Sequence, residues 1–166
     1  DLRLPHDPFG PLLLRLRDKG IGVAAPLIVN EENRVEDSFR RLPTPWRLVK
    51  RYWKRGGGRR TGDYPLDGGL LYPDWVAGMF MLFSAPVFAR MGGFDEKYFL
   101  YFEDVDLCSR LRLAGYKILL DPMVSVVHNA RRESHRNLRH LAWHLKSGMT
   151  FFSSSVFWSV RRKESE

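Results

Sequence analysis

Residues 92–128 read GGFDEKYFLYFEDVDLCSRLRLAGYKILLDPMVSVVH, and the reading of this span decides the fold. Asp104, Leu107, Cys108, Leu111 and Gly115 recur at three- and four-residue spacing, which lines them along one face of a helix. Asp104 opens that face, and the later positions are apolar and expected to be buried. Asp106 and Arg110 fall on another face at i,i+4, a pairing distance suited to a solvated surface. Gly115 ends the helix. Tyr116 to Leu120 and Met123 to His128 then read as two strands separated by an Asp121-Pro122 turn.

Glu103, Asp104 and Asp106 all sit in the first helical turn, where the macrodipole favours a carboxylate by about 0.3–1 kcal/mol. Decoration of a helix start needs nothing more than that. A carboxylate in line with a buried stripe, under the aromatic run Tyr98-Phe99-Leu100-Tyr101-Phe102, is also partly desolvated and can act as a general base. Spacing leaves both readings open.

Working outward, Pro5 to Gly20 reads as a helix capped by Asp7, with Leu12, Leu13 and Leu16 as its apolar stripe. Ile21 to Val29 is a nearly all-apolar strand of the kind covered on both faces, in which Pro26 implies an edge position or a bulge. Residues 37–73 form a basic insertion, where Trp46, Tyr52 and Trp53 alternate with Arg47, Lys50, Arg51, Lys54 and Arg55. Leu42 to Lys54 suits a short basic amphipathic helix. Such a face fits nucleic acid or a membrane surface, or is simply a solvated surface insertion. Gly56-Gly57-Gly58 lacks the pattern of a phosphate loop.

Tyr72 to Ser84 reads as a buried strand in which Gly78 marks a close approach by backbone or ligand. Pro86 to Met91 is a short helical turn. Arg132 to Phe152 reads as a helix with Leu138, Leu141, Ala142, Leu145 and Met149 on its inner stripe. Residues 153–166 make an aromatic, basic tail, either frayed or laid on an anionic bilayer. Helix–strand alternation points to an α/β or α+β sheet domain.

The 166 residues suit one domain with a core of its own. Trp75 to Phe83, the longest apolar run, is far short of the ~20 residues that span a bilayer. The first residues, DLRLPHDPFG, show no signal-peptide pattern, and a strand-like start without Met implies a piece of a longer protein. Cys108 is the single cysteine and falls on the helix's apolar face, so a buried, inert thiol in a reducing compartment is expected. Lys and Arg total 27 against 19 Asp and Glu, a formal charge of +8 that favours an anionic partner.

Several of these motifs occur together in one known order. Trp75-Val76-Ala77-Gly78 with Met79-Phe80-Met81, then Gly92-Gly93-Phe94-Asp95-Glu96, Phe99 to Cys108, Arg110, Ala114-Gly115-Tyr116 and a closing His128 resemble family-2 glycosyltransferases. The likeness is strongest to rhamnosyltransferase-type members that build bacterial polysaccharides and cell-wall linkers, and it covers about Gly20 to Gly148. It implies a partial GT-A fold: a mixed β-sheet flanked by helices, lacking the N-terminal nucleotide-binding half. Residues 1–152 would be the acceptor-side part and 153–166 a tail.

The resemblance also implies roles. Asp104 matches the family's catalytic base, which takes a proton from the acceptor hydroxyl in an inverting displacement, with Glu103 beside it orienting the acceptor or merely facing the helix dipole. Trp75, Gly78, Gly93, Phe94, Asp95 and Glu96 match the wall where donor sugar and acceptor meet, though Asp95 or Glu96 would equally serve to fix the turn. His128 matches a position that helps hold a divalent cation, Mg or Mn, or the diphosphate itself, with Asp1 as its partner; the cation neutralises the diphosphate leaving group. The implied partners are a dTDP- or UDP-sugar donor and a saccharide or lipid-linked acceptor, with peripheral membrane contact and no nucleic acid. The implied location is the cytoplasm, at the inner face of the plasma membrane. This chain alone is expected to be inactive. The competing readings are a non-catalytic module that binds anionic polymer or lipid through Arg47–Arg60 and Arg131–Arg139, and an inactive remnant of such an enzyme.

Overall fold

The computed structural model describes residues 2–53, 63–129 and 138–165, without the side chains of 51–53 and 138. Two strands make its centre. β2 (Ile21–Val29) and β6 (Lys117–His128) run parallel, and β2 is buried along its whole length except for half-buried Leu27. Near-continuous burial of Val, Ile and Leu is what a parallel strand covered on both faces requires. β1 (Leu2–Arg3) pairs antiparallel with the end of β6, and β5 (Leu82–Phe83) pairs antiparallel with Val23 and Ala24. The sheet order is β1-β6-β2-β5, a mixed sheet. A second, two-stranded sheet pairs β3 (Phe39–Arg40) with β4 (Trp75–Val76).

Alternation along the central strands divides the core. Ile21, Ala24, Leu119 and Val124 pack with Leu12 of α1 (Phe9–Arg15) on one face. Val23, Ala25, Ile118 and Leu120 pack with Cys108 and Leu111 of α4 (Glu103–Leu113) on the other. Cys108 is fully buried and its thiol is pushed up to about 12 by that burial, so it is inert, as the sequence implied.

Several elements differ from their sequence reading. Lys117 to His128 is one strand, not two, because residues 122–124 bulge out: Pro26 pairs with Asp121 and Leu27 with Ser125. That bulge accommodates both Pro26 and Pro122, which have no N–H for the ladder. Asp121 is buried there and accepts hydrogen bonds from Met123 N and Arg15 Nε, at 3.0 and 2.9 Å. The 72–84 stretch is not one strand, since β4 and β5 lie in different sheets and the chain turns between them. α1 is shorter than expected, and of its leucine stripe only Leu12 is buried. Asp7 does bond the first amides, accepting from Phe9 N and Gly10 N.

α2 (Pro45–Trp53) is the expected basic helix, and α3 (Ala85–Arg90) the expected short one. The glycine loop at 56–60 and most of the basic clusters at 47–60 and 131–139 lie outside the described residues. α5 (Leu138–Phe152) turns Leu141, Leu145 and Met149 outward, the reverse of the expected stripe; Ser147 and Phe151 face inward instead. The tail is not frayed. α6 (Ser155–Lys163) is capped by Ser154 Oγ, buries Phe157 and Val160, and ties back to α4 through Arg112–Glu164 at 3.1 Å. No helix among the described residues is long and apolar enough to cross a membrane.

β2 approaches α4 most closely at Gly22, where a Cβ would stand 2.7 Å from Leu111 Cδ2 and 2.8 Å from Tyr116 Cβ. Gly22→Ala is therefore expected to cost about 1–3 kcal/mol through overpacking, read as a lower urea midpoint with an unchanged m-value. An unchanged midpoint would mean that the helix and sheet are not in this contact.

Candidate active site

The turn between β4 and β5 meets the start of α4. Gly78 N donates to Asp104 Oδ2 at 2.9 Å, and Val105 N donates to Oδ1 of the same carboxylate at 2.8 Å. Both oxygens thus receive backbone N–H groups, one from a loop and one from a helix N-terminus. Burial is the larger influence: it pushes the Asp104 carboxyl up to about 6, helped by the negative charge of Glu103 and opposed by the two amides. Glu103 lies beside it with Oε2 buried and without a hydrogen-bond partner. A Cβ on Gly78 would sit 3.7 Å from Asp104 Cβ, an ordinary contact, so this glycine serves through its exposed N–H and not through a lack of room.

The backbone entering α4 is strained. Tyr101 and Phe102 both have φ +68°, a left-handed conformation that a bulky residue adopts only when packing enforces it. Phe102 is buried against His144, Phe151 and Phe152, and Ser147 Oγ donates to Leu100 O at 2.7 Å. Gly148 closes on the Phe102 ring, so α5 straps the turn that carries both acids. Tyr101 Oη meets His140 Nδ1 at 3.1 Å, and the Tyr101 ring lies 5.2 Å from that of His144. Burial and the nearby Glu103 charge raise the Tyr101 hydroxyl above its ordinary range. His140, His144 and Trp143 had no place in the sequence reading, because the wrong face of α5 was taken as the inner one.

Asp106 corrects the sequence reading more sharply. It is fully buried rather than solvated, receiving Arg110 Nε at 2.7 Å and Tyr98 Oη at 3.2 Å. Arg110 also donates to Met91 O and, at 2.8 Å, to Gly93 O. The pair therefore hangs the Gly92–Glu96 turn from α4, with Gly92 and Gly93 both at positive φ. Within that turn Asp95 accepts from Lys97 N at 3.0 Å and pairs with Lys97 Nζ at 2.6 Å, bonds that lower its carboxyl below the usual value. Asp95 fixes the turn, Glu96 is exposed, and Phe94 packs on Phe88.

Gly78 and Phe94 share an apolar cavity of about 590 Å³, lined also by Phe9, the 79–83 segment and Phe88. Trp75, Gly93, Asp95 and Glu96 do not line it. Trp75 is half-buried and donates its indole N–H to Arg41 O at 3.1 Å.

His128 ends β6, and its Nδ1 lies 2.8 Å from Glu36 Oε2. An ionised carboxylate only accepts, so Nδ1 donates in this bond. Glu36 escaped the sequence reading, since the turn after β2 held several acids and nothing singled one out. Backbone bonds link this pair to the acids: Ser38 N to Glu36 O at 3.0 Å, Ala77 N to Ser38 O at 2.7 Å, then Gly78 to Asp104. Asp1 lies outside the described residues. Among the described residues no three His, Cys, Asp or Glu gather as a metal site.

Comparison with known proteins bears on this arrangement. No family model matches the chain. Rhamnosyltransferase WbbL of Escherichia coli (strain K12) is 41% identical over 89 residues, 53% of this chain and 34% of the relative. N-acetylglucosaminyl-diphospho-decaprenol L-rhamnosyltransferase of Mycobacterium tuberculosis is 32% identical over 146 residues, 82% of this chain and 48% of the relative, in both the CDC 1551 and H37Rv strains. The chain is a homologue of family-2-type rhamnosyltransferases. This homologue spans about half the length of the mycobacterial relatives and a third of the bacterial one from E. coli.

Removing Arg110 from the rhamnosyltransferase homologue leaves buried Asp106 with Lys97, whose Nζ lies 3.7 Å from Oδ1, as its remaining cation among the described residues. Arg110→Met is expected to cost about 3 kcal/mol, measured by chemical denaturation, because a broken buried pair leaves a charge that the more distant Lys97 compensates only in part. A loss below about 1 kcal/mol, the range of a surface pair, would contradict the burial of Asp106.

Proposed function

We infer that this chain is the acceptor-side part of an inverting glycosyltransferase of GT-A fold, and that Asp104 is its catalytic base. The observation that carries this reading is the Asp104 carboxylate, oriented by two backbone N–H groups and raised to about 6. A base that titrates near working pH combines ionisation with affinity for the proton it must take. In the reaction, the acceptor hydroxyl gives its proton to Asp104 as its oxygen bonds the anomeric carbon of the donor sugar. The bond from that carbon to the diphosphate breaks on the opposite face, and the nucleoside diphosphate leaves. Glu103, beside Asp104, orients the acceptor and through its charge helps raise the Asp104 carboxyl.

The donor is a dTDP- or UDP-sugar. The acceptor is a saccharide or lipid-linked saccharide at the cytoplasmic face of the membrane, a reading supported by the decaprenol-linked acceptor in the mycobacterial relative's name. It enters over the apolar cavity that meets Asp104 at Gly78. His128, aimed by Glu36, would hold a divalent cation (Mg or Mn) together with Asp1. When bound, that ion neutralises charge on the departing diphosphate. The Arg110-anchored turn contributes Phe94 to the cavity's wall.

The test uses the longer protein that carries this segment together with its donor-binding half. Asp104→Asn should lower kcat by about 10²–10⁴-fold with nucleotide-sugar affinity unchanged. In the unmodified enzyme, kcat/KM should rise with pH through a limb near 6, since the base must be ionised. Turnover retained in the variant would remove Asp104 from the role.

A further inference from the structure

α5 is amphipathic in the unexpected sense. Its inner face carries Ser147, Gly148 and Phe151 against the 99–102 turn, while Leu141, Leu145 and Met149 stand outward at i, i+4 and i+8. They are 40%, 57% and 65% exposed, and Trp158 of α6 is 60% exposed. Three large apolar side chains on one ridge, with the helix's other face already packed, mark a surface made to meet something.

The charges around this ridge identify what it meets. Exposed Arg139 and Lys146 stand on α5 itself, and exposed Arg161, Arg162 and Lys163 end α6, where Arg161 pairs with Glu164 at 3.4 Å and Lys163 Nζ donates to Arg112 O at 3.3 Å. From residue 138 to residue 163 there is no Asp or Glu. A second copy of the chain is a poor occupant, because an isologous contact would set these cations against their own copies in a protein of net charge +8. An apolar ridge on a helix that carries cations and no acid fits the boundary of an anionic bilayer, where side chains such as Leu, Met and Trp enter the acyl region and Lys and Arg meet phosphate.

We propose that the outer face of α5, with Trp158 and the basic end of α6, docks this protein on an anionic membrane surface. The docking stands on its own geometry. Its use to the site rests on the transferase reading: α5's inner face holds the 99–102 turn that leads into Glu103 and Asp104, so a docked α5 places those acids within reach of a lipid-linked acceptor.

The experiment is co-sedimentation of the full 166-residue chain with phosphatidylcholine vesicles, with and without phosphatidylglycerol. The parent should partition onto the anionic vesicles and lose binding as salt rises. Leu145→Glu/Met149→Glu should bind them at least about tenfold more weakly, with unchanged circular dichroism and unfolding midpoint, since both side chains are exposed. Lys146→Glu should weaken binding about fivefold, as expected for inverting one near-surface cation. Asp104→Asn should bind as the parent does, which separates docking from catalysis. Equal binding to neutral vesicles, undiminished binding by the double variant, or a dimer that the double variant dissolves would each overturn the proposal.

Discussion

The hydrogen bond from Gly78 N to Asp104 Oδ2 joins the two halves of this structure. On one side lies the segment that passes from the small sheet of β3 and β4 to the central sheet at β5. On the other lies α4, the helix that covers the central sheet. At the crossing, the Gly78 N–H is directed at a helix-start carboxylate instead of a neighbouring strand, and the chain changes sheets there. The same bond helps hold an acid whose burial works against its ionisation. A carboxylate in that condition is expensive to keep, and its surroundings are organised to keep it.

Three contacts do so, each acting on a different neighbour. The buried Asp106–Arg110 pair reaches from the same helix to the carbonyls of Met91 and Gly93 and fixes the adjoining turn. The left-handed pair Tyr101 and Phe102 lifts the chain into the helix, its strain offset by the packing of Phe102 against α5 and by the Ser147 bond. The backbone path from Glu36 through Ser38 and Ala77 links the His128 imidazole to the same loop. These parts converge on one carboxylate whose burial raises it to about 6.

Much of the central sheet and of α4 was legible. β2 announced itself by continuous apolar residues, Pro26 by the bulge it demanded, and Cys108 and Leu111 by their spacing from Asp104. The placement of Asp104 on the buried face followed from the same period, but its role did not, because burial and hydrogen bonding are tertiary. Asp106 was misread for the opposite reason: i,i+4 pairing looks alike whether the pair is wet or dry, and the covering Tyr98 is supplied by a turn eight residues earlier. α5 was inverted because its leucines were assigned inward by default, whereas its inner face is built from Ser, Gly, His and Phe that fit the crowded Phe102 turn. Glu36 gave no local signal, since its partner is 92 residues away in sequence.

The central claim is that a single carboxylate, Asp104, is held partly desolvated and unusually basic at the junction of β4, β5 and α4. A carbon-13 NMR titration of its carboxyl, assigned by Asp104→Asn, tests this directly. The structure predicts a midpoint about two units above an ordinary aspartate, near 6, moving down in Glu103→Gln as the neighbouring charge is removed. A midpoint near 4 that ignores Glu103 would place the carboxylate in water and contradict the account.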